Sequence, residues 1–147
     1  MDLEIGRDTL MALAAIAWAD GKMEPREQEG IRNAARQLQL GGEDMNLVEQ
    51  AIASSVSLDQ VETLRMNRLT RLFTYAAGAW IAHIDGAVPK VEQDALDLLG
   101  DRLGLSKVAR ERAQGAALGL AEHQGADFDL LKLRSRLSAG LSQIGNE

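Results

Sequence analysis

One short pattern occurs twice in this chain, and the second copy begins 65 residues after the first. The first copy runs Ile16-Ala17-Trp18-Ala19-Asp20-Gly21-Lys22-Met23-Glu24-Pro25-Arg26-Glu27. The second runs Ile81-Ala82-His83-Ile84-Asp85-Gly86-Ala87-Val88-Pro89-Lys90-Val91-Glu92. In each, an apolar stretch ends in Asp-Gly, and a Glu stands seven residues after the Asp, at the start of a new amphipathic stretch. Residues 16–40 align on 81–105 without a gap and share eight identities: Ile16/Ile81, Ala17/Ala82, Asp20/Asp85, Gly21/Gly86, Glu27/Glu92, Gln28/Gln93, Leu38/Leu103 and Leu40/Leu105. This pattern predicts two related helix–turn–helix units that pack about a pseudo-twofold axis, with the Asp-Gly turns able to face each other.

Helical periodicity accounts for the rest of the chain. Leu3, Leu10, Leu13, Ala14, Ala17 and Trp18 predict a first helix over 3–19, ended by Gly21 in the left-handed conformation. Pro25 suits the first turn of a second helix, with Glu24 as N-cap and Glu27 completing a capping box. That helix stops at Gly41-Gly42, and a third opens at Glu43 or Asp44 and closes at Ser54-Ser55. Ser57-Leu58-Asp59-Gln60 is a capping box for a short fourth helix. A fifth is expected over 68–84, a sixth from Lys90 to Leu103, and a seventh from Lys107, capped by Ser106. His123 to Ala126 reads as a turn, and Asp127 caps a last helix through Leu130, Leu133, Leu137 and Leu141. The expectation is one all-α domain over 1–147, a compact bundle of about seven helices with a duplicated helix–turn–helix unit.

Composition bears on function mainly by exclusion. With 147 residues, 46% hydrophobic and 26% charged, the chain can bury a core. Aromatics make up 3%, so close packing must come from small side chains. The formal charge of −6 argues against nucleic-acid binding, which calls for a basic face. Without cysteine there is no disulfide, thiolate nucleophile or Cys-based zinc site. The acidic start Met1-Asp2-Leu3-Glu4 is unlike a signal peptide, and the apolar run from Met11 to Ala19 is too short to cross a bilayer. The expected location is cytoplasmic, without direct membrane insertion.

If the two turns converge, Asp20, Glu27, Asp85 and Glu92 supply four carboxylates, with Glu24, Glu29 and Asp94 close by. Oxygen-only ligands suit hard cations such as calcium, magnesium or manganese, and no organic cofactor is implied. An EF-hand is excluded: Gly directly follows the first Asp, and Ile31 and Leu96 stand where that loop needs its twelfth-position Glu. A metal site must therefore be shared between units. A purely structural reading stands beside it, since Asp-Gly is a common turn and Glu27 and Glu92 occupy capping-box positions.

Other residues carry weaker signals. His83 corresponds to Trp18, which favours a packed helix residue over a ligand, and His123 falls in a turn. No nucleophile elbow, P-loop or dinucleotide fingerprint is present, so an enzyme is not expected. Arg65, Arg68 and Arg71 read as a solvated helix face, and Gly115 with Gly119 as a close contact between helices.

The paired motifs Ala19-Asp20-Gly21…Glu27 and Ile84-Asp85-Gly86…Glu92 resemble those of the tellurite-resistance TerB family and its TerB-like relatives, over about residues 5–122. The resemblance implies an all-helical fold of about seven helices and an acidic cluster that binds a divalent metal. It also implies a role in stress responses, including tellurite resistance, often alongside membrane-associated or chaperone-like protein partners. Carried over, the acidic positions are Asp20, Glu27, Asp85 and Glu92, with Glu24 and Glu29 beside them. One departure is that Pro89 stands where the first copy has Glu24, which makes the two halves of such a site unequal. The alternative is a protein–protein interaction module of a stress or envelope complex whose Asp-Gly turns are structural only.

Overall fold

A computed structural model describes residues 7–54, 66, 68–83, 90–121, 133 and 137. Among these residues every regular element is helical: α1 (Arg7–Ala17), a 3-10 turn (Trp18–Asp20), α2 (Pro25–Gln37), α3 (Gly42–Ala53), α4 (Arg68–Ala82), α5 (Lys90–Arg102) and α6 (Lys107–Ala121). Leu133 and Leu137 are also helical, and both are buried. The helix expected from Ser57, the turn at His123 and the second Asp-Gly turn lie outside the described residues.

Two central helices organise the core. From Leu69 to Ala82, every residue of α4 except Arg71 is buried. Apolar side chains all round a helix require neighbours on every side, and α4 packs against α1, α5 and α6. α1 is its counterpart, with Leu10, Leu13, Ile16 and four alanines fully or nearly fully buried. It meets α2, α3, α4 and α5. Where α1 and α4 cross, the Thr9 and Thr74 hydroxyls hydrogen-bond across a buried 3.0 Å contact. Those two residues are also 65 apart.

The same offset recurs in the helix bounds. α1 and α4 end at Ala17 and Ala82, α2 and α5 start at Pro25 and Lys90, and α3 and α6 start at Gly42 and Lys107. The described helices therefore form two runs of three, α1–α3 and α4–α6, in the same order.

The ends of α2 and α5 are built alike. Leu38, Gln39 and Leu40 donate to Ala34, Arg36 and Ala35, while Leu103, Gly104 and Leu105 donate to Leu99, Asp101 and Gly100. Both are Schellman caps, with a left-handed residue satisfying carbonyls that the helix leaves open. In α5 that residue is Gly104, at φ 69°; in α2 it is Gln39, at φ 54°. The stop expected at Gly41-Gly42 thus falls two residues early. Gly41 is extended, at φ −68° and ψ 167°, and serves as N-cap of α3.

Two further expectations are corrected. A Cβ on Gly115 would meet nothing within 4 Å, so Gly115 makes no close contact. The close approaches are at Gly78 and Gly100: a Cβ at Gly78 would lie 3.2 Å from Leu99, and one at Gly100 would lie 2.6 Å from the Arg110 side chain. Arg71 is not part of a solvated face. Its Nε donates to the Met66 carbonyl at 3.0 Å and its Nη1 to the Leu103 carbonyl at 2.8 Å, which ties the end of α5 to α4. Among the described residues no helix is long and apolar enough to cross a membrane.

Candidate functional site

The first Asp-Gly turn is rigidly placed by its neighbours. Gly21 adopts φ 85° and its N–H donates to the Trp18 carbonyl at 2.8 Å, closing the 3-10 turn. The Trp18 indole N–H reaches the Ala51 carbonyl at 2.8 Å, which fastens the turn to α3. Met23 is buried, and its carbonyl accepts a 3.1 Å hydrogen bond from Gln28. Pro25 then opens α2, with its fixed φ already helical. The Glu24 N–H donates to Glu27 Oε1 at 2.9 Å within a capping box.

Glu27 and Glu92 are the buried acidic side chains among the described residues, at 3% and 5% exposure. Each lies in the first turn of its helix, where unsatisfied N–H groups and the helix dipole favour negative charge. Burying a carboxylate is costly unless it is hydrogen-bonded or neutralised. For Glu27 the capping box meets part of that cost. Glu92 cannot repeat the arrangement, because the residue three places before it is Pro89, which has no N–H to donate. Capping therefore explains Glu27 and leaves Glu92 without the same reason for burial.

The two units do touch at this end of the bundle. The 3-10 turn that ends at Asp20 packs against α5, the helix that carries Glu92. The Asp20 side chain and all of Asp85 lie outside the described residues, so a four-carboxylate cluster is not seen. Among the described residues no group of three or more His, Asp or Glu side chains is placed to hold a metal ion.

The neighbouring acids are not buried with Glu27 or with Glu92. Glu24 is exposed at the helix cap. Glu29 lies on the solvent face of α2, 3.5 Å from Arg36, and Asp94 lies on the solvent face of α5, 3.4 Å from Lys90. The reason is helical phase: two residues after a buried position, the chain has turned by about 200°. His83 is half-buried, and its Nδ1 is 2.8 Å from the Ala79 carbonyl. A carbonyl only accepts, so Nδ1 is the donor there.

A polar seam escaped the sequence reading. Between α4, α5 and α6 lies an open groove of about 430 Å³. Gln93 and Asp97 of α5 form one wall, and Lys107, Arg110, Glu111 and Gln114 of α6 form the other. Tyr75 of α4 is also part of the lining, though only 2% of its surface is exposed. Burial pushes the Tyr75 hydroxyl pKa up, the Asp97 carboxylate adds to that, and the Arg110 guanidinium opposes it. The spacing 107, 110, 111, 114 marks one helix face, but a sequence cannot say that this face meets 93 and 97. The matching seam between α2 and α3 is closed by Arg32 and Glu49, whose 3.1 Å contact raises the Arg32 pKa.

Comparison with protein-family models, with curated proteins and with solved structures gives no match.

Proposed function

We propose that this chain is a non-enzymatic TerB-like stress-response domain that binds a divalent cation at a site shared by its two helix–turn–helix units. The bound state is passed to a protein partner, and a link to tellurite resistance belongs to the same reading. The observation that carries it is the packing of the Asp20 turn against α5, in whose first turn the Glu92 carboxylate is buried. Further support comes from the two runs of three helices with equal offsets and from the buried Thr9–Thr74 contact. Residues that meet their own equivalents lie on a twofold axis, as expected of a duplicated unit. Leu133 and Leu137, helical and buried, support one more helix at the C-terminal end and a total of about seven.

The ligands would be Asp20, Glu27, Asp85 and Glu92, with Glu24 at the rim. All offer oxygen, so calcium, magnesium and manganese are the ions of choice. A ligand that binds only the folded state stabilises it by about 2.7 kcal/mol at a hundred times its Kd. Melting curves in each of the three ions, against a chelator-treated control, should therefore show a rise for at least one. The double variant Glu27→Gln/Glu92→Gln keeps hydrogen-bond acceptors while removing charge and should lose that rise. No response of the wild type to any of the three ions would overturn the proposal.

One observation favours the second reading, an interaction module. Val91 and Leu98 are half exposed on the outer side of α5, at positions where α2 has Arg26 and Asn33. An apolar pair acquired by one helix only is the kind of surface that a partner covers.

A further inference from the structure

The two outer seams of the bundle differ in one respect that has a chemical consequence. Between α2 and α3, the Arg32 guanidinium reaches across to both oxygens of Glu49, with contacts of 3.1 to 3.3 Å. The positions 65 residues later are Asp97 and Gln114. An anion replaces the cation and a neutral amide replaces the anion, so the same ion pair cannot form, and the α5–α6 seam stays open as a groove of about 430 Å³. Tyr75 lines the open seam, and the residue 65 positions before it is the buried Leu10. Tyr75 is 2% exposed, and no hydrogen bond to its hydroxyl forms among the described residues. A buried phenol normally finds a partner. Here the hydroxyl opens onto a polar groove.

We propose that this seam is a binding site for a small zwitterion, of amino-acid to dipeptide size, held by a hydrogen bond to the Tyr75 hydroxyl and by charged groups of both signs. The lining carries two cations, Lys107 and Arg110, and two anions, Asp97 and Glu111. An ion of single charge meets groups of its own sign there, while a zwitterion can set each of its charges against an opposite one. Arg110 is already engaged, donating to Asp101 at 2.8 Å and to the Leu105 carbonyl at 2.9 Å. The ligand carboxylate therefore belongs with Lys107 in the first turn of α6, where the helix dipole also favours negative charge. Its ammonium group belongs with Glu111 and with Asp97, whose Oδ1 already accepts from Gln93 Nε2 at 3.2 Å, and the Gln114 amide can take a remaining polar atom. The volume lies within the range of small-molecule pockets. This site is separate from the Asp-Gly turns and does not depend on the cation reading.

The internal comparison supplies the test. Tyr75 is the only tyrosine of the chain, so its ring carbon next to the hydroxyl gives one assignable resonance after isotope labelling. Glycine, L-glutamine, L-glutamate, L-lysine and glycylglycine serve as probes, with phosphate, acetate and methylammonium as single-charge controls. At least one zwitterion should move the Tyr75 resonance and raise the melting temperature by about 5 °C at a hundred times its Kd. Tyr75→Phe should weaken that binding about tenfold. Asp97→Arg/Gln114→Glu installs the clasp of the first seam; it should keep the melting temperature of the ligand-free protein and abolish binding. If that double variant melts early, Asp97→Asn must still weaken binding at least threefold. The proposal is overturned if no zwitterion moves both signals, if phosphate alone reproduces the effect, or if binding survives both the clasp and Asp97→Asn.

Discussion

The two runs of helices, α1–α3 and α4–α6, have matching order and matching offsets, yet they divide the work of the fold unequally. The first supplies thin elements: α1 packs through Ala12, Ala14, Ala15 and Ala17. The second supplies bulk, since α4 carries Phe73, Tyr75 and Trp80, all buried. Trp80 stands 65 residues after Ala15, and Gly78 stands 65 after Leu13. At these two positions a large side chain in one run corresponds to a small one in the other, whereas Ile16 and Ile81 are alike. The seams diverge in a similar way, one closed by Arg32 and Glu49 and the other open above Tyr75.

The largest expected effect comes from removing the bulk. Trp80→Ala makes the position resemble Ala15 and should lower stability by about 4 kcal/mol, read as a fall in the urea midpoint. A loss below about 1 kcal/mol would mean that neighbouring side chains refill the space.

Next in size is the contact on the proposed axis. Thr9→Val leaves the buried Thr74 hydroxyl with the Met66 sulfur, at 3.8 Å, as its hydrogen-bond partner among the described residues, and should cost about 1–2 kcal/mol. Adding Thr74→Val should recover part of that loss, because no unmatched hydroxyl then remains. Strictly additive losses in the double-mutant cycle would show that the two threonines are not coupled.

The helix ends give a smaller effect with opposite signs in the two halves. Gln39 occupies the left-handed region that Gly104 occupies at the other cap. Gln39→Gly should gain about 0.5–1 kcal/mol, and Gly104→Gln should lose at least as much. Both follow from chemical denaturation, and a loss on Gln39→Gly would point to a side-chain contact that outweighs the backbone strain.

The smallest effect is confined to alkaline solution. The folded pKa of Tyr75 lies above that of the unfolded chain, about 10, because burial and Asp97 oppose the phenolate. Its contribution to stability is therefore complete below pH 10 or so and is lost as pH rises through the folded pKa. Phenolate absorbance should titrate later in the folded protein than in urea, and Tyr75→Phe should remove the alkaline slope of stability. Coincident titrations in the two states would contradict the burial of this ring.

Much of this architecture is legible in the amino-acid sequence. Pro25 with Glu24 and Glu27 announced the start of α2, Ser106 announced α6, and the repeat placed α2 and α5 in phase. The misjudged points share one cause. Gly41-Gly42 looked like a helix stop, but the preceding residues can close a Schellman cap through Gln39, at a modest cost in strain. Gly115 looked like a contact point, yet whether a glycine faces a neighbour depends on where that neighbour lies. Arg71 looked solvated because its partners, two backbone carbonyls, have no signature in a sequence. The candidate acidic site was legible as a set of residues, and Glu29 and Asp94 left that set once helical phase put them on the solvent face.

What the sequence by itself determined is periodic and local: helix positions, caps, and the identity of Glu27 and Glu92 as acids at equivalent helix starts. Even the missing N–H donor three residues before Glu92 follows from Pro89 alone. Only the tertiary structure decided that the Asp20 turn leans on α5, that Thr9 meets Thr74, and that one seam is clasped while the other opens over a buried phenol. Those facts depend on which faces of separate helices meet. Helix phase is written within about four residues of chain, whereas packing joins residues tens of positions apart through shape and volume.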